Sequence, residues 1–305
     1  MDPSISNKED GSFARFPFKN LYAPSSLHLS VVVPAYNEEK RLPRMLKQTI
    51  EYLQNKSRAD PTFTSEIIVV DDGSSDRTAA LVVAYSKKFS ANFIRLMKLP
   101  HNMGKGGAVQ QGVLHARGEY ILFADADGAS DFYCYDKVET ALKDITKKGL
   151  GVAIGSRAHL QESEDSKANR SAFRTVLMKG FHTLVTNVSG LHEIKDTQCG
   201  FKLFTRAAAL SIFPNQRIQR WCFDVELLYI AKALNIPIAE VPINWEEVDG
   251  SKVQIVDASL TMGRDLCVIR GCYTLGLWGI ADPHKTLKAF VPADYDTISA
   301  TMKIQ

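Results

Sequence analysis

The sequence predicts an α/β fold in which a mostly parallel sheet carries helices on both of its faces. From Leu29 onward, short runs of apolar and β-branched residues alternate with longer stretches of helical spacing. This alternation is typical of parallel strands that are joined by crossover helices. Several predicted strands also run directly into polar segments, as expected where the carboxyl ends of parallel strands form a ligand site.

The predicted elements follow in order along the chain. Four apolar strands alternate with three helices, the strands at 29–33, 66–70, 93–98 and 120–124 and the helices at about 38–53, 76–89 and 104–116. A fifth strand is predicted at 151–155. The polar stretch 158–168 that follows predicts a loop or lid, and a helix is expected at about 169–188. Beyond it we expect a short strand in CGFKLF, an amphipathic helix in CFDVELLYIAKAL, a strand in IPIAEVPINW and helical spacing over 258–280.

This pattern divides the chain into three parts. Residues 1–28 hold charged side chains and no long apolar run, so we expect a flexible polar leader and no signal peptide. Residues 29–255 are predicted to form the α/β domain, and residues 256–305 a C-terminal helical segment and tail. Since no stretch reaches the ~18 apolar residues of a membrane span, any membrane contact is expected to be peripheral.

Composition excludes several classes of protein. The chain has 305 residues, of which 45% are hydrophobic and 23% charged, as in ordinary soluble domains. Its net charge of +3 is too small to indicate a nucleic-acid partner. The five cysteines include no CxxC pair, which disfavours a disulfide framework and a structural zinc site and favours a reducing compartment.

The first two strands end in segments that suit a nucleotide. The first ends in VVVPAYNEE, where a dinucleotide dehydrogenase would have GxGxxG, and the sequence has no P-loop. The second ends in VVDDGSSD, whose Asp71 and Asp72 can accept hydrogen bonds from a base or a ribose hydroxyl. The same segment also suits a turn with Ser75 or Asp76 capping the next helix, and both roles are compatible.

The fourth strand ends in FADADG, which predicts a metal site. Asp125 and Asp127 lie two residues apart at the end of a buried strand, where a lone carboxylate is costly and a pair repels. A hard divalent cation resolves both problems. Mg²⁺ or Mn²⁺ is expected, because magnesium is commonly held by one or two carboxylates together with substrate phosphates.

Three groups of basic residues are candidates for binding phosphate. HNMGKGG precedes a helix, so its backbone N–H groups and Lys105 suit a diphosphate, with an ordinary glycine-rich turn as the alternative. Arg157 follows the fifth strand. Arg170 and Arg174 lie four apart on one helix face and suit a second phosphate, with a solvated basic face as the alternative.

Together these motifs resemble the family-2 glycosyltransferases of GT-A fold over about residues 29–255. The ordered set is PAYNEE, VVDDGSSD, NMGKGGA and DADG. Within the family the chain most resembles the members that glucosylate dolichyl phosphate. The segments that carry this resemblance are FADADGAS, AIGSR, IKDTQCGFKLFTR, RWCFDVELLYIA and EVPINWEEVDGSK.

The resemblance implies an inverting, metal-dependent enzyme with a UDP-glucose donor and a dolichyl-phosphate acceptor. It also implies work at the cytosolic face of the endoplasmic reticulum membrane, in lipid-linked oligosaccharide assembly for N-glycosylation. Carried over by motif, the nucleotide-sugar site comprises Pro34, Tyr36, Asn37, Glu38, Asp71, Asp72, Lys105, Asp125, Ala126, Asp127, Trp221 and Asp224. The catalytic residues are Asp125, Asp127 and Arg157; the first two hold the metal, and Arg157, Arg170 and Arg174 hold the acceptor phosphate.

Several alternatives stay open. A phosphate monoester is largely dianionic at neutral pH and needs no general base, whereas a hydroxyl acceptor would need one, with Asp196 and Asp224 as candidates. The leading alternative is a dolichyl-phosphate mannose synthase or another family-2 transferase, followed by a nucleotidyltransferase and a non-catalytic nucleotide-sugar-binding module.

Some mannose synthases have a metal-binding glutamine where this chain has Ala129, which leaves further metal ligands open. The segment 260–280 is either an interfacial helix or a core helix.

Overall fold

A computed structural model describes residues 5–7, 13–15, 20–161, 190–248 and 255–281. Two short strands, β1 (Ile5–Asn7) and β2 (Phe13–Arg15), pair antiparallel. The main sheet has seven strands: β3 (Leu27–Ala35), β4 (Ser65–Asp71), β5 (Ile94–Lys98), β6 (Gly118–Ala124), β7 (Val152–Ser156), β8 (Phe201–Thr205) and β9 (Ile238–Pro242). The described helices are α1 (Leu42–Ala59), α2 (Thr78–Phe89), α3 (Lys105–Leu114), α4 (Tyr135–Ile145), α5 (Ala158–Gln161), α6 (Arg206–Ile212), α7 (Phe223–Ala233) and α8 (Ile255–Thr274).

The strand order of the main sheet is β5-β4-β3-β6-β8-β7-β9. Strand β8 runs antiparallel to β6 and β7, and the other neighbouring strands are parallel. The prediction of a mostly parallel α/β sheet is therefore confirmed. The order reverses at β3, which has β4 on one side and β6 on the other, and such switch points leave a crevice at the carboxyl ends of the strands.

Alternating residues of the strands feed two cores, one on each face of the sheet. On β3, Val31 and Val33 pack on one face, whereas Val32 packs on the other. This follows from the two-residue period of a strand. All three are fully buried, and because both faces are covered, the strands read as continuous apolar runs.

The structure differs from the predicted elements in several places. Part of the 1–28 leader carries structure, since β1 pairs with β2, and Leu21 and Tyr22 are buried in the core. Helices α4 and α6 were not predicted. Helix α6 begins directly after β8 and is capped by Thr205 Oγ1, which accepts the Ala208 amide, whereas α4 has no side-chain cap. Residues Ala158–Gln161 are helical where a loop was expected, and the rest of that loop and the helix at 169–188 lie outside the described residues.

The C-terminal helix α8 packs against the main domain. Leu266 and Ile269 are buried in the core, and the Tyr273 hydroxyl donates to Glu226 Oε1 at 3.1 Å. Beyond the helix, Leu275 and Leu277 are more than 70% exposed. The face of α8 that contains Leu266 and Ile269 is therefore that of a core helix. Among the residues that the structure describes, we find no helix that could span a membrane.

Candidate active site

Residues of the predicted site gather at one edge of the sheet. The carboxyl ends of β3, β4, β6 and β7 lead into Tyr36, Asp72, Asp125 and Arg157, respectively. Because β8 is antiparallel, its first residues also lie at this edge, and the Asp125 amide donates to the Gly200 carbonyl at 3.1 Å. The sheet therefore brings together side chains that lie far apart in the sequence.

The two aspartates at the carboxyl end of β4 have different surroundings. Both carboxylate oxygens of Asp72 accept backbone N–H groups, from Met103 at 2.7 Å and Gly104 at 2.9 Å. Burial raises the pKa of Asp72 to about 6, although these hydrogen bonds act against the rise. Asp71 Oδ1 accepts the Ser74 amide at 3.1 Å, whereas its buried Oδ2 has no hydrogen-bond partner among the described residues. Of the two aspartates, it is therefore Asp71 whose Oδ2 could accept a hydrogen bond from a ligand.

The segment after β3 joins two loops of the site. Asn37 has a positive φ of 55°, and its side-chain oxygen accepts the amides of Ser75 and Asp76. Asn37 therefore organises the loop after β4. The amide of buried Glu38 donates to Thr78 Oγ1 at 2.8 Å, and its carboxylate pairs with Arg41. Pro34 is buried in the strand, and Tyr36 is 44% exposed beside this loop.

The predicted phosphate loop forms the N-terminus of α3. Gly104 has a φ of 87°, and a Cβ there would lie 2.6 Å from the carbonyl oxygen of Gln219, so the position requires glycine. The Gly107 amide donates to the same oxygen at 2.9 Å. Segment 216–223, which includes the 40% exposed Trp221, is thereby held against the helix N-terminus.

Lys105 is the first residue of α3 and pairs with the first aspartate of FADADG. Its Nζ lies 2.6 Å from Asp125 Oδ1. Burial disfavours the ammonium, but the charges of Asp125 and Asp224 outweigh burial and raise the pKa of Lys105. This lysine is therefore a fixed cation at the end of β6, where helix N–H groups also favour an anion.

The chemistry of Asp125 and Asp127 fits a divalent cation. The Ala129 amide donates to Asp127 Oδ1 at 3.0 Å, and Ala126 between the two aspartates is buried. Burial and the charge of Asp125 raise the pKa of Asp127. Two crowded carboxylates are hard oxygen ligands and fit Mg²⁺ or Mn²⁺. No group of three or more His, Cys, Asp or Glu side chains suited to a metal occurs in the described ranges.

Two neighbours of the acidic pair were missed in the sequence. Arg41 lies close enough for Asp127 and Asp125 to help raise its pKa, which the hydrogen bond to Glu38 raises most. At Gly200, a Cβ would overlap the Asp125 carboxylate, 2.5 Å from Oδ1 and closer to Oδ2. Gly200 lies in the quoted segment CGFKLF and Arg41 two residues beyond PAYNEE, but nothing in the sequence shows which strand ends face them.

Asp224 lies beneath the edge and pairs with a buried lysine. Lys202 is fully buried, and its Nζ donates to Asp224 Oδ1 at 2.5 Å and to the Cys199 carbonyl at 2.6 Å. Burial raises the pKa of Asp224, and the charges of Lys202 and Lys105 oppose that rise. The Asp224 carboxylate is therefore engaged inside the protein.

Arg157 at the end of β7 is clamped between a carboxylate and an indole. Its Nε and Nη2 donate to Asp196 at 2.7 and 2.8 Å, and its guanidinium lies 5.5 Å from the Trp245 ring centroid. Burial raises the pKa of Asp196, but Arg157 outweighs burial, and the pKa is lowered. Nη1 has no hydrogen-bond partner in the part of the chain that the structure describes. Arg170 and Arg174 lie outside the described residues.

Solved structures share this architecture. Glucosyl-3-phosphoglycerate synthase of Mycobacterium tuberculosis matches with a TM-score of 0.57 and 18% identity, over 87% of this chain and 84% of that one. The same enzyme in complex with Mn²⁺, UDP-glucose and phosphoglyceric acid matches with a TM-score of 0.53 and 16% identity, over 83% and 82%. At such identity the likeness shows the fold, which is GT-A as expected.

Sequence comparison gives the family. The model for "Glycosyl transferase family 2" matches residues 30–213. The dolichyl-phosphate beta-glucosyltransferase of Drosophila melanogaster is 51% identical over 273 residues, which cover 89% of this chain and 83% of the relative. The human enzyme of that name is 49% identical, with coverage of 84% and 79%, and the Saccharomyces cerevisiae enzyme 47%, with 83% and 77%. The chain therefore belongs to glycosyl transferase family 2 and, within it, to the family of the dolichyl-phosphate β-glucosyltransferases.

Proposed function

We propose that this protein transfers glucose from UDP-glucose to dolichyl phosphate with inversion at the anomeric carbon, and that Mg²⁺ or Mn²⁺ is required. The observation that carries the reaction class is the pair of carboxylates at the end of β6, with Lys105 Nζ 2.6 Å from Asp125. The names of relatives about half identical to this chain support glucose and dolichyl phosphate as the transferred sugar and the acceptor.

The nucleotide is assigned to the loops after β3 and β4. Asp71 presents a buried, unpartnered Oδ2, which suits a donor N–H or O–H, because a buried acceptor without a partner costs about 1–3 kcal/mol. Tyr36 is exposed on the neighbouring strand end and offers a ring to a base. Asn37 and Asp72 shape the two loops through backbone hydrogen bonds.

The diphosphate is assigned to the acidic edge. Asp125 and Asp127 would hold the cation, and a bound Mg²⁺ or Mn²⁺ would stabilise negative charge on the leaving UDP. Lys105 and the positive end of the α3 dipole supply fixed positive charge to the same diphosphate. Their preorganisation means that little rearrangement is needed when the bond to UDP breaks.

The acceptor phosphate is assigned to Arg157. Asp196 and Trp245 fix the guanidinium plane, and the remaining Nη1 donors suit a phosphate oxygen. The acceptor is already dianionic, so one of its oxygens attacks glucose C1 without a general base while UDP leaves from the opposite face. This fits the engagement of both candidate bases with cations, Asp196 with Arg157 and Asp224 with Lys202.

We further propose that the protein works at the cytosolic face of the endoplasmic reticulum membrane, where dolichyl phosphate is met as a lipid. The exposed Leu275 and Leu277 after α8 are candidates for peripheral contact.

A donor screen tests the function. Dolichyl phosphate is incubated with UDP-glucose, UDP-galactose or GDP-mannose and Mn²⁺, and the lipid product is analysed by mass spectrometry and proton NMR. We expect a β-glucosyl phosphate from UDP-glucose at a rate at least tenfold above the other donors. Faster transfer of mannose, or an α-linked product, would contradict the proposal.

A further inference from the structure

Lys202 is a fully buried lysine below the acidic edge, and none of the ligand-binding motifs accounts for it. It is the second residue of β8 and lies opposite Phe123 of β6 in the sheet register. Its Nζ donates to the Cys199 carbonyl and to Asp224, at 2.6 and 2.5 Å. A buried ammonium without such partners is costly, so these contacts fix the end of the side chain.

The Cys199 carbonyl connects Lys202 to Asp125. Cys199 precedes Gly200, whose carbonyl accepts the Asp125 amide at 3.1 Å. Gly200 also has its Cα against the Asp125 carboxylate, so closely that no Cβ fits between them. Because Lys202 holds the peptide immediately before this contact, it determines where the turn stands relative to Asp125.

Charge gives a second connection between the same groups. Lys202 pairs with Asp224, and Lys105 pairs with Asp125. The two ammonium groups lie 5.2 and 5.8 Å from the centroid of a single ring, that of Phe123. The charges of both lysines act on the Asp224 carboxylate. Without Lys202, the buried Asp224 would compete with Asp125 for Lys105.

We propose that Lys202 is a positioning residue that holds the Asp125 carboxylate and Lys105 in the arrangement that binds a divalent cation and the donor diphosphate. It does so through the Cys199–Gly200 turn and through Asp224, without touching the substrates. This inference rests on the proposed function, because it takes Asp125 as a ligand of the cation.

The experiment separates positioning from simple charge balance in the core. Replacing a single partner of a buried ion pair is strongly destabilising, whereas replacing both by neutral groups is often tolerated. We therefore compare Lys202→Met with the double variant Lys202→Met/Asp224→Asn. Binding of Mn²⁺ in the presence of UDP is followed by electron paramagnetic resonance of free Mn²⁺, and folding by thermal unfolding. The control is Arg95→Met, which breaks a buried ion pair with Glu66 at the opposite end of β4.

We expect the single variant at Lys202 to lower the Tm and the double variant to regain most of it, while Mn²⁺ affinity stays at least tenfold below wild type in both. The control should lower the Tm and leave the Mn²⁺ affinity within twofold. Lys202→Arg, which keeps the charge and donors to both oxygens, should stay within threefold of wild type.

Two results would overturn the role of Lys202. The first is a double variant with wild-type Mn²⁺ affinity, because Lys202 would then only balance a charge. The second is wild-type Mn²⁺ affinity in the folded single variant Lys202→Met, because Lys202 would then not be needed to place Asp125 and Lys105, and this readout stands if the double variant does not fold. A wild-type chain that binds no Mn²⁺ with UDP would overturn the proposed metal role as well, so the two failures are distinguishable.

Discussion

Replacing Gly200 with alanine would place a methyl group inside the space that the Asp125 carboxylate occupies. The built Cβ lies 2.5 Å from Oδ1 and nearer to Cγ and Oδ2, inside the 3.0 Å that real Cβ contacts keep. The carboxylate must therefore move by about 1 Å, and a displacement of that size at a reacting centre costs on the order of 10²-fold in rate. Because a carboxylate can rotate away, we expect only a small loss of folding stability, at the low end of the about 1–3 kcal/mol typical of overpacking.

The assay is steady-state glucosyl transfer from UDP-glucose to dolichyl phosphate, beside thermal unfolding of the same preparation. Gly200→Ala should lose about a hundredfold in kcat/KM and only a few degrees in Tm, at roughly 2–4 °C per kcal/mol. Gly271→Ala is the matched control, since a Cβ at this position of α8 meets nothing within 4 Å; it should keep full activity and gain slight stability. Wild-type turnover in Gly200→Ala would refute the reasoning that Asp125 must stand where it does.

Three further predictions concern charged residues. Asp127→Asn should lower turnover at least a hundredfold. Its Tm in calorimetry should equal or exceed that of wild type, because burial and the charge of Asp125 already disfavour the ionised side chain of Asp127. A large drop in Tm would contradict this. Arg157→Lys should raise the KM for the acceptor by roughly ten- to a hundredfold, which is the cost of a lost charge-assisted hydrogen bond. The affinity for UDP-glucose, measured by calorimetry, should not change. A loss of UDP-glucose affinity with an unchanged acceptor KM would assign Arg157 to the donor site. Glu139 is buried, but the hydrogen bond from His28 and nearby lysines outweigh burial and lower its pKa from 4.5 to about 2. The ionised Glu139 carboxylate therefore contributes ~3 kcal/mol to the free energy of unfolding above pH 4.5, and this contribution is lost as the pH falls toward 2. In urea unfolding at pH 7, Glu139→Gln should be less stable than wild type. The difference in unfolding free energy between the two proteins should shrink at pH 3. A gap independent of pH would exclude the ionised carboxylate as the cause.

The fold could be predicted because its signals are local. Runs such as Val31–Val33 are apolar on consecutive residues, which indicates strands buried on both faces, and each is followed by a helical stretch. Helix α4 was missed although its buried residues Tyr135, Val138 and Leu142 have the i, i+3, i+7 spacing of a helix face. The order of the strands and the antiparallel direction of β8 depend on pairing between distant segments, which periodicity does not encode.

The same distinction applies to the candidate site. The aspartates after β6 stand out because two carboxylates follow an apolar strand. In contrast, the sequence does not separate Asp71, with its unpartnered oxygen, from Asp72, which binds two backbone amides. The partners of Lys202 and the proximity of Gly200 to Asp125 arise only when β8 is placed beside β6, so no motif could have indicated them.

The most direct test of the central claim, that the acidic edge at the end of β6 transfers glucose to a lipid phosphate, is a single radiochemical assay. UDP-[¹⁴C]glucose and dolichyl phosphate are incubated with the wild-type chain and with Asp127→Asn, in excess Mn²⁺ and after verified metal removal with chelator. The account predicts a labelled lipid from the wild-type chain with Mn²⁺ and a signal at least a hundredfold lower in the other three samples. Undiminished transfer after metal removal, or from Asp127→Asn with Mn²⁺, would contradict it.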